Sequence, residues 1–167
     1  VFRLHLLYLV DMNLQNQIQK LIRIGLALNS INDLEALLEM IVTEARNFTS
    51  ADAGSLYLVE GDMLRFVVSQ NDTIEARKTG EKNPYIGALI PMSNNRISGY
   101  VALTGKVQNI RAAYEIPANN EYKFTKDFDE KNSYRTKSML VVRMKNNSGD
   151  ILGVLQLINA VDAGRAV

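Results

Sequence analysis

The chain carries two kinds of hydrophobic spacing, and they divide it into a helical opening and a strand-rich remainder. From Leu4 to Leu28 the apolar positions Leu4, Leu7, Leu14, Ile18, Leu21 and Leu28 recur at three- and four-residue steps, interrupted by Asp11 and Gly25. That spacing is a heptad-like seam. It serves either an amphipathic helix lying on its own sheet or a parallel pairing of two copies. Ile22, Ile24 and Leu26 widen the apolar surface beyond one stripe, which favours a homodimer through this helix. Ser30 and Asp33 have the separation of a capping box with Asp in the acid position. A second helix then runs to about Asn47, with Leu34, Leu37, Leu38, Ile41 and Ala45 on the face expected to cover the sheet.

Beyond Thr49 the pattern changes to strands. Gly54 to Val59 and Met63 to Ser69, separated by Glu60, Gly61 and Asp62, read as a hairpin. Gln70 to Tyr85 is polar and aperiodic and reads as a long loop, a length that usually signals function. Ile86 to Pro91 reads as a short strand, Ile97 to Thr104 as a brief helix closed by Gly105, and Val107 to Ile110 as another strand. Arg111 to Ser133 is polar and aromatic. Ser138 to Met144 and Ile151 to Ile158 flank the turn Asn146 to Asp150 as a second hairpin; neither run alternates, so both are expected at the centre of the sheet, covered on each face.

The order implies an α+β fold: a central antiparallel sheet of about six strands, the N-terminal helices on one face, and a loop and short-helix lid over a pocket on the other. The expected organisation is a dimerisation or signalling helix over 1–29, a folded domain over 30–161, and the start of a linker helix over 162–167.

Composition removes whole classes of chemistry. None of the 167 residues is cysteine, which excludes disulfides, thiolate metal sites, cysteine nucleophiles and thioether-linked chromophores. A reducing, cytoplasmic setting is the simplest expectation. The single histidine, His5, lies in the opening helix, so neither a histidine triad nor a metal site can be built around it, and no catalytic residue is assigned. Nineteen basic residues against eighteen acidic ones are scattered without a basic block, so nucleic acid is not an expected partner. The apolar opening of about ten residues is too short to span a bilayer. Asp127, Asp129 and Glu130, flanked by Lys126 and Lys131, read as a solvated face, and Arg135 and Lys137 as pointing to water. Tyr114 and Tyr134 either stack on a flat ligand or anchor the loop. Gly99 and Gly105 read as structural, for close packing and a helix cap.

Four short motifs then stand in order: Ile97 to Gly105; Asn109-Ile110 with Ala113-Tyr114; Tyr134 to Leu140; and Gly153 to Asn159. Together they resemble the GAF domain over roughly residues 30 to 160, especially the cyclic-nucleotide-binding kind of phosphodiesterases and cyanobacterial adenylyl cyclases. The resemblance implies a PAS-like sheet with a roofed pocket and a non-catalytic sensor controlling an output domain of a bacterial signalling protein, with cyclic AMP, cyclic GMP or another small polar molecule as ligand. By the same resemblance Ser55 would lie near the purine, Ser69 and Gln70 would stand where a base-contacting Phe-Asp pair occurs, and Ile97 and Ser98 would offer backbone amides to a phosphate. Tyr114 and Thr136 would be lid positions, and Gln156 would replace an acid. Asn159 fits the start of an Asn-Lys motif whose Lys is here Ala160. The alternative is a ligand-free dimerisation module whose pocket has collapsed.

Overall fold

The computed structural model describes residues 34–77 and 83–160; the opening seam, its dimer helix, His5, the Ser30–Asp33 cap and the 162–167 linker lie outside the described residues. The chain divides into two compact units, 1–41 and 42–167. Of the first, only the opening turns of helix α1 (Leu34–Thr49) are described. The second holds the rest of α1 and the whole sheet.

Strands β1 (Ala51–Glu60) and β2 (Met63–Asn71) form the first hairpin, turned at Gly61. Asn71 ends β2 and caps the short α2 (Asp72–Glu75), its side-chain oxygen accepting the Ile74 amide at 2.9 Å. After β3 (Leu89–Pro91) come α3 (Ile97–Thr104), β4 (Gln108–Ile110), a 3₁₀ turn at Ala113–Glu115 and α4 (Asp127–Asn132). The second hairpin, β5 (Met139–Lys145) and β6 (Ile151–Ala160), closes the domain.

The strands make one six-stranded sheet in the order β3-β2-β1-β6-β5-β4, every neighbouring pair antiparallel. The α+β expectation is met, with one correction: the central pair is β1 and β6, and β5 lies second from the edge beside the three-residue β4. Its apolar run reflects cover by α3 on one face rather than a central place.

A register shift opposite Leu56/Tyr57 inserts Val67 into β2, so Leu56 pairs with Val68 and Tyr57 with Phe66. Phe66 and Val68, two residues apart, would share a face in a regular strand; the bulge sends them to opposite faces. Val68 and Leu56 are buried on the α1 side, where Val42 approaches Gly54. Phe66 joins Tyr57, Leu64, Val141 and Val154 in the core between sheet and α3, to which α3 contributes Tyr100, Val101 and Ala102. Leu64 is fully buried in that core. Truncating it to Ala is expected to cost about 3 kcal/mol in urea unfolding, from lost transfer energy plus a cavity.

Helix α3 ends at Gly105, whose φ of 70° is left-handed and whose amide returns to Val101. A Cβ there would also fall 2.1 Å from the Arg143 guanidinium. Arg143 needs that space because it donates to the Ala102 carbonyl at 3.2 Å, placing a cation at the negative end of the helix.

Candidate functional site

A cavity of about 310 Å³ lies between the sheet and its lid, at the lower end of the range for small-molecule sites. Cross-strand pairing builds its floor. Ser69, Ser55, Gln156 and Val141 are successive partners across β2, β1, β6 and β5, so their side chains share a face. Ser55 and Gln156 line the cavity, with Tyr57 and Phe66 beside them, the two rings stacked at 4.8 Å. Phe124 and Phe128 from the lid, and Tyr85, bring aromatic surface from the other side. The lining is therefore largely aromatic.

One wall is the start of α3. Arg96, Ile97 and Ser98 line the cavity there, and Arg96 supplies no side-chain cap to the first-turn amides. Those amides and the helix dipole suit an anion. Ser98 is only 4% exposed and, like Gln156, makes no side-chain hydrogen bond among the described residues. Arg96, which donates to Thr125 Oγ1 at 3.2 Å, is joined around the cavity by Lys123 and Lys131. Asp127 is the exposed acid among them.

The opposite wall is held by Asp129, 3% exposed. Its carboxylate accepts the Thr136 amide at 2.7 Å, the Thr136 hydroxyl at 2.9 Å and the Tyr114 hydroxyl at 2.8 Å. Three donors satisfy the buried charge and tie α4, the 3₁₀ turn and the entry to β5 together. This corrects the reading of the acidic cluster: Asp127 and Glu130 are exposed, but Asp129 turns inward.

Of the nine residues singled out from the sequence, Ser55, Ile97, Ser98, Thr136 and Gln156 meet at the cavity. Ser69 shares its face but accepts from Asn83 Nδ2 at 2.7 Å just beyond it. Gln70 pairs with Gly54, so it stands on the α1 face, bonded to Thr43 and Arg46. Tyr114 packs tilted against Phe124, their centroids 5.3 Å apart, under the Arg135 guanidinium and behind the lining. Tyr134 is buried, its ring edge-on to Phe128 and its hydroxyl donating to Asp52 at 2.7 Å. Arg135 and Lys137 are exposed, as expected. The sequence reading missed Arg96, Lys123, Lys131, Asp129 and the aromatic floor. Only the floor had a linear signal, since Tyr57 lies two residues beyond Ser55 on the same strand.

Burial pushes the Tyr57 hydroxyl up to about 12, partly opposed by the positive charge of Arg96. Burial, reinforced by the Asp52 carboxylate, raises Tyr134 as well. In both cases the fold favours the neutral phenol. Their contribution to stability is therefore complete below the ordinary tyrosine pKa near 10 and is lost as pH climbs through the folded values. Absorbance at phenolate wavelengths is expected to show Tyr57 and Tyr134 ionising only as the protein unfolds at high pH; their ionisation at the ordinary tyrosine value with the fold intact would contradict their burial.

No helix among the described residues is long and apolar enough to cross a membrane. A family model described as GAF domain matches residues 33–165. The dual 3′,5′-cyclic-AMP and -GMP phosphodiesterase 11 of Drosophila melanogaster is 31% identical over 139 residues, covering 78% of this chain and 9% of that protein. The dual 3′,5′-cyclic-AMP and -GMP phosphodiesterase 11A of Takifugu rubripes is 32% identical over 133 residues, covering 79% and 14%. The chain thus spans about a tenth of the length of such relatives, which are animal proteins, whereas the sequence reading pictured a bacterial host. Among solved structures, the GAF domain from a phosphoenolpyruvate-protein phosphotransferase of Coxiella burnetii superposes with a TM-score of 0.66 at 19% identity, covering 87% of this chain and 79% of that one. At that identity the likeness speaks to fold alone.

Proposed function

Since the chain belongs to the GAF domain family, whose members are small-molecule-sensing regulatory domains, we propose that it binds a flat, anionic, polar-edged ligand of the cyclic nucleotide class between sheet and lid. The occupied domain would pass its state to an output region of a longer signalling protein, with no catalysis of its own. The observation that carries the reading is the conjunction, in one cavity, of stacked aromatic rings with the uncapped amides of α3, Ser98 and Arg96. Rings suit a base, and the helix start suits a phosphate. The names of the phosphodiesterase relatives point to the same ligand class. The dimer through residues 1–29 belongs to this proposal too, and a Leu21→Glu chain that keeps its mass in light scattering would remove it.

Calorimetry with cyclic AMP and cyclic GMP tests the ligand. A binding heat with at least one of them is expected, falling about tenfold in affinity or more in Thr136→Ala, which takes a polar group from the wall and one partner from Asp129. Silence with both nucleotides would favour the ligand-free module instead.

A further inference from the structure

Thr136 is held from two sides. On the cavity side Asp129 takes its amide and hydroxyl. On the other side the segment from Tyr134 to Ser138 is bound to one residue that does not line the cavity, Asn159, next to the last residue of β6. Its Oδ1 accepts the amides of Lys137 at 2.6 Å and Ser138 at 3.2 Å. Its Nδ2 donates to the Arg135 carbonyl at 2.8 Å and the Tyr134 hydroxyl at 2.9 Å. Its own amide donates to the Ser138 carbonyl at 2.9 Å. All five bonds reach one short stretch of chain. Asn159 also has φ 55°, a left-handed conformation that Asn tolerates better than most residues. The Tyr134 hydroxyl donates onward to Asp52, whose other oxygen accepts from Thr73 Oγ1 at 2.8 Å. The cavity wall, the end of β6 and the start of β1 thus share one polar joint.

We propose that Asn159 is a positioning residue for the cavity wall and the joint through which cavity occupancy reaches the end of β6. A ligand pressing on Thr136 displaces the 134–138 segment. Because the Asn159 amide group grips that segment at four points, the end of β6 either follows or loses its bonds. A carboxamide suits this place because it donates and accepts at once, standing in for the backbone of an adjoining strand where β6 turns away. The transmission half rests on the ligand reading above, but the joint itself is present without a ligand.

The test is residue-resolved amide exchange on the full chain, with cyclic AMP and cyclic GMP as probes and with Asn159→Gly and Tyr134→Phe as variants. Glycine accepts the left-handed backbone, so it removes the grip without adding strain. In the native chain a bound nucleotide is expected to slow exchange at Thr136, Lys137, Ser138 and Asn159 together. In Asn159→Gly, which keeps only the backbone bond to Ser138, the affinity should fall about tenfold, and at saturation the response at position 159 should shrink while that at Thr136 persists. In Tyr134→Phe the affinity should fall less and the response at 159 should shrink. A response at 159 in Asn159→Gly equal to that of the native chain overturns the proposal, as does unchanged affinity. If neither nucleotide binds, the ligand reading fails and the joint is tested on its own. Asp129→Asn, made at the cavity wall of the ligand-free chain, should speed exchange at Asn159 about threefold or more, and not at position 159 of the Asn159→Gly background. No change at Asn159 in the native background overturns the joint.

Discussion

Gly99→Ala is expected to destabilise the domain by about 2–3 kcal/mol and, on the ligand reading proposed above, to abolish nucleotide binding at concentrations that would saturate the native chain. On propensity alone the change should help, since Ala is favoured over Gly inside a helix by about 1 kcal/mol. Sterics decide otherwise. A Cβ on Gly99 would lie 2.4 Å from the Ser93 carbonyl oxygen and 2.7 Å from the Ser93 amide nitrogen, both backbone atoms that cannot rotate aside. The first turn of α3 must then lift away from the 91–93 segment, carrying Ile97 and Ser98 with it, so stability and site geometry fail together. Thermal melting and calorimetry on the one variant check both. A variant as stable as the native chain, with unchanged affinity, would show that α3 does not need this approach.

Asp129→Ala is the second large effect, expected to cost about 3 kcal/mol. The buried amide and hydroxyl of Thr136 and the hydroxyl of Tyr114 would lose their acceptor in one step, and water reaches a residue 3% exposed poorly. The loss should concentrate in the lid. Urea unfolding gives the total, and Asp129→Asn, which keeps an acceptor oxygen without the charge, should recover roughly half of it. Asp127→Ala, at an exposed neighbour in the same helix, should change stability by under about 0.5 kcal/mol. Equal costs at 127 and 129 would refute the account of the wall.

Much of the fold was legible because its signals are local. Helix α3 spans Ile97–Thr104 with Gly105 as its left-handed cap, as the sequence pattern gives it, since a helix of this length is bounded by residues close in the chain. Both hairpins were readable from their turns. What the pattern could not supply is strand order: β1 and β6 meet at the centre through pairing between distant segments, and a hydrophobic run does not say which neighbour it will have. The site divides in the same way. Ser69 and Gln70 are neighbours in the sequence, yet consecutive strand residues point to opposite faces, so only one of them can look toward the cavity. Asp129 and Glu130 are adjacent acids in a six-residue helix, and only the return of the chain at Thr136 turns one inward and leaves the other in water.

The pairing of Ala51 with Ala160 also bears on how the domain comes into being. The two middle strands are separated by roughly a hundred residues of chain, so a large loop must close before the heart of the sheet can form. During synthesis the first hairpin must wait with one edge of β1 unpaired until β6 has left the ribosome, and a chain cut short before Ile151 would leave β1 paired with β2 alone. Folding should accordingly be slow for a domain of this size, and the uncovered edge of β1 is where association between nascent chains would begin.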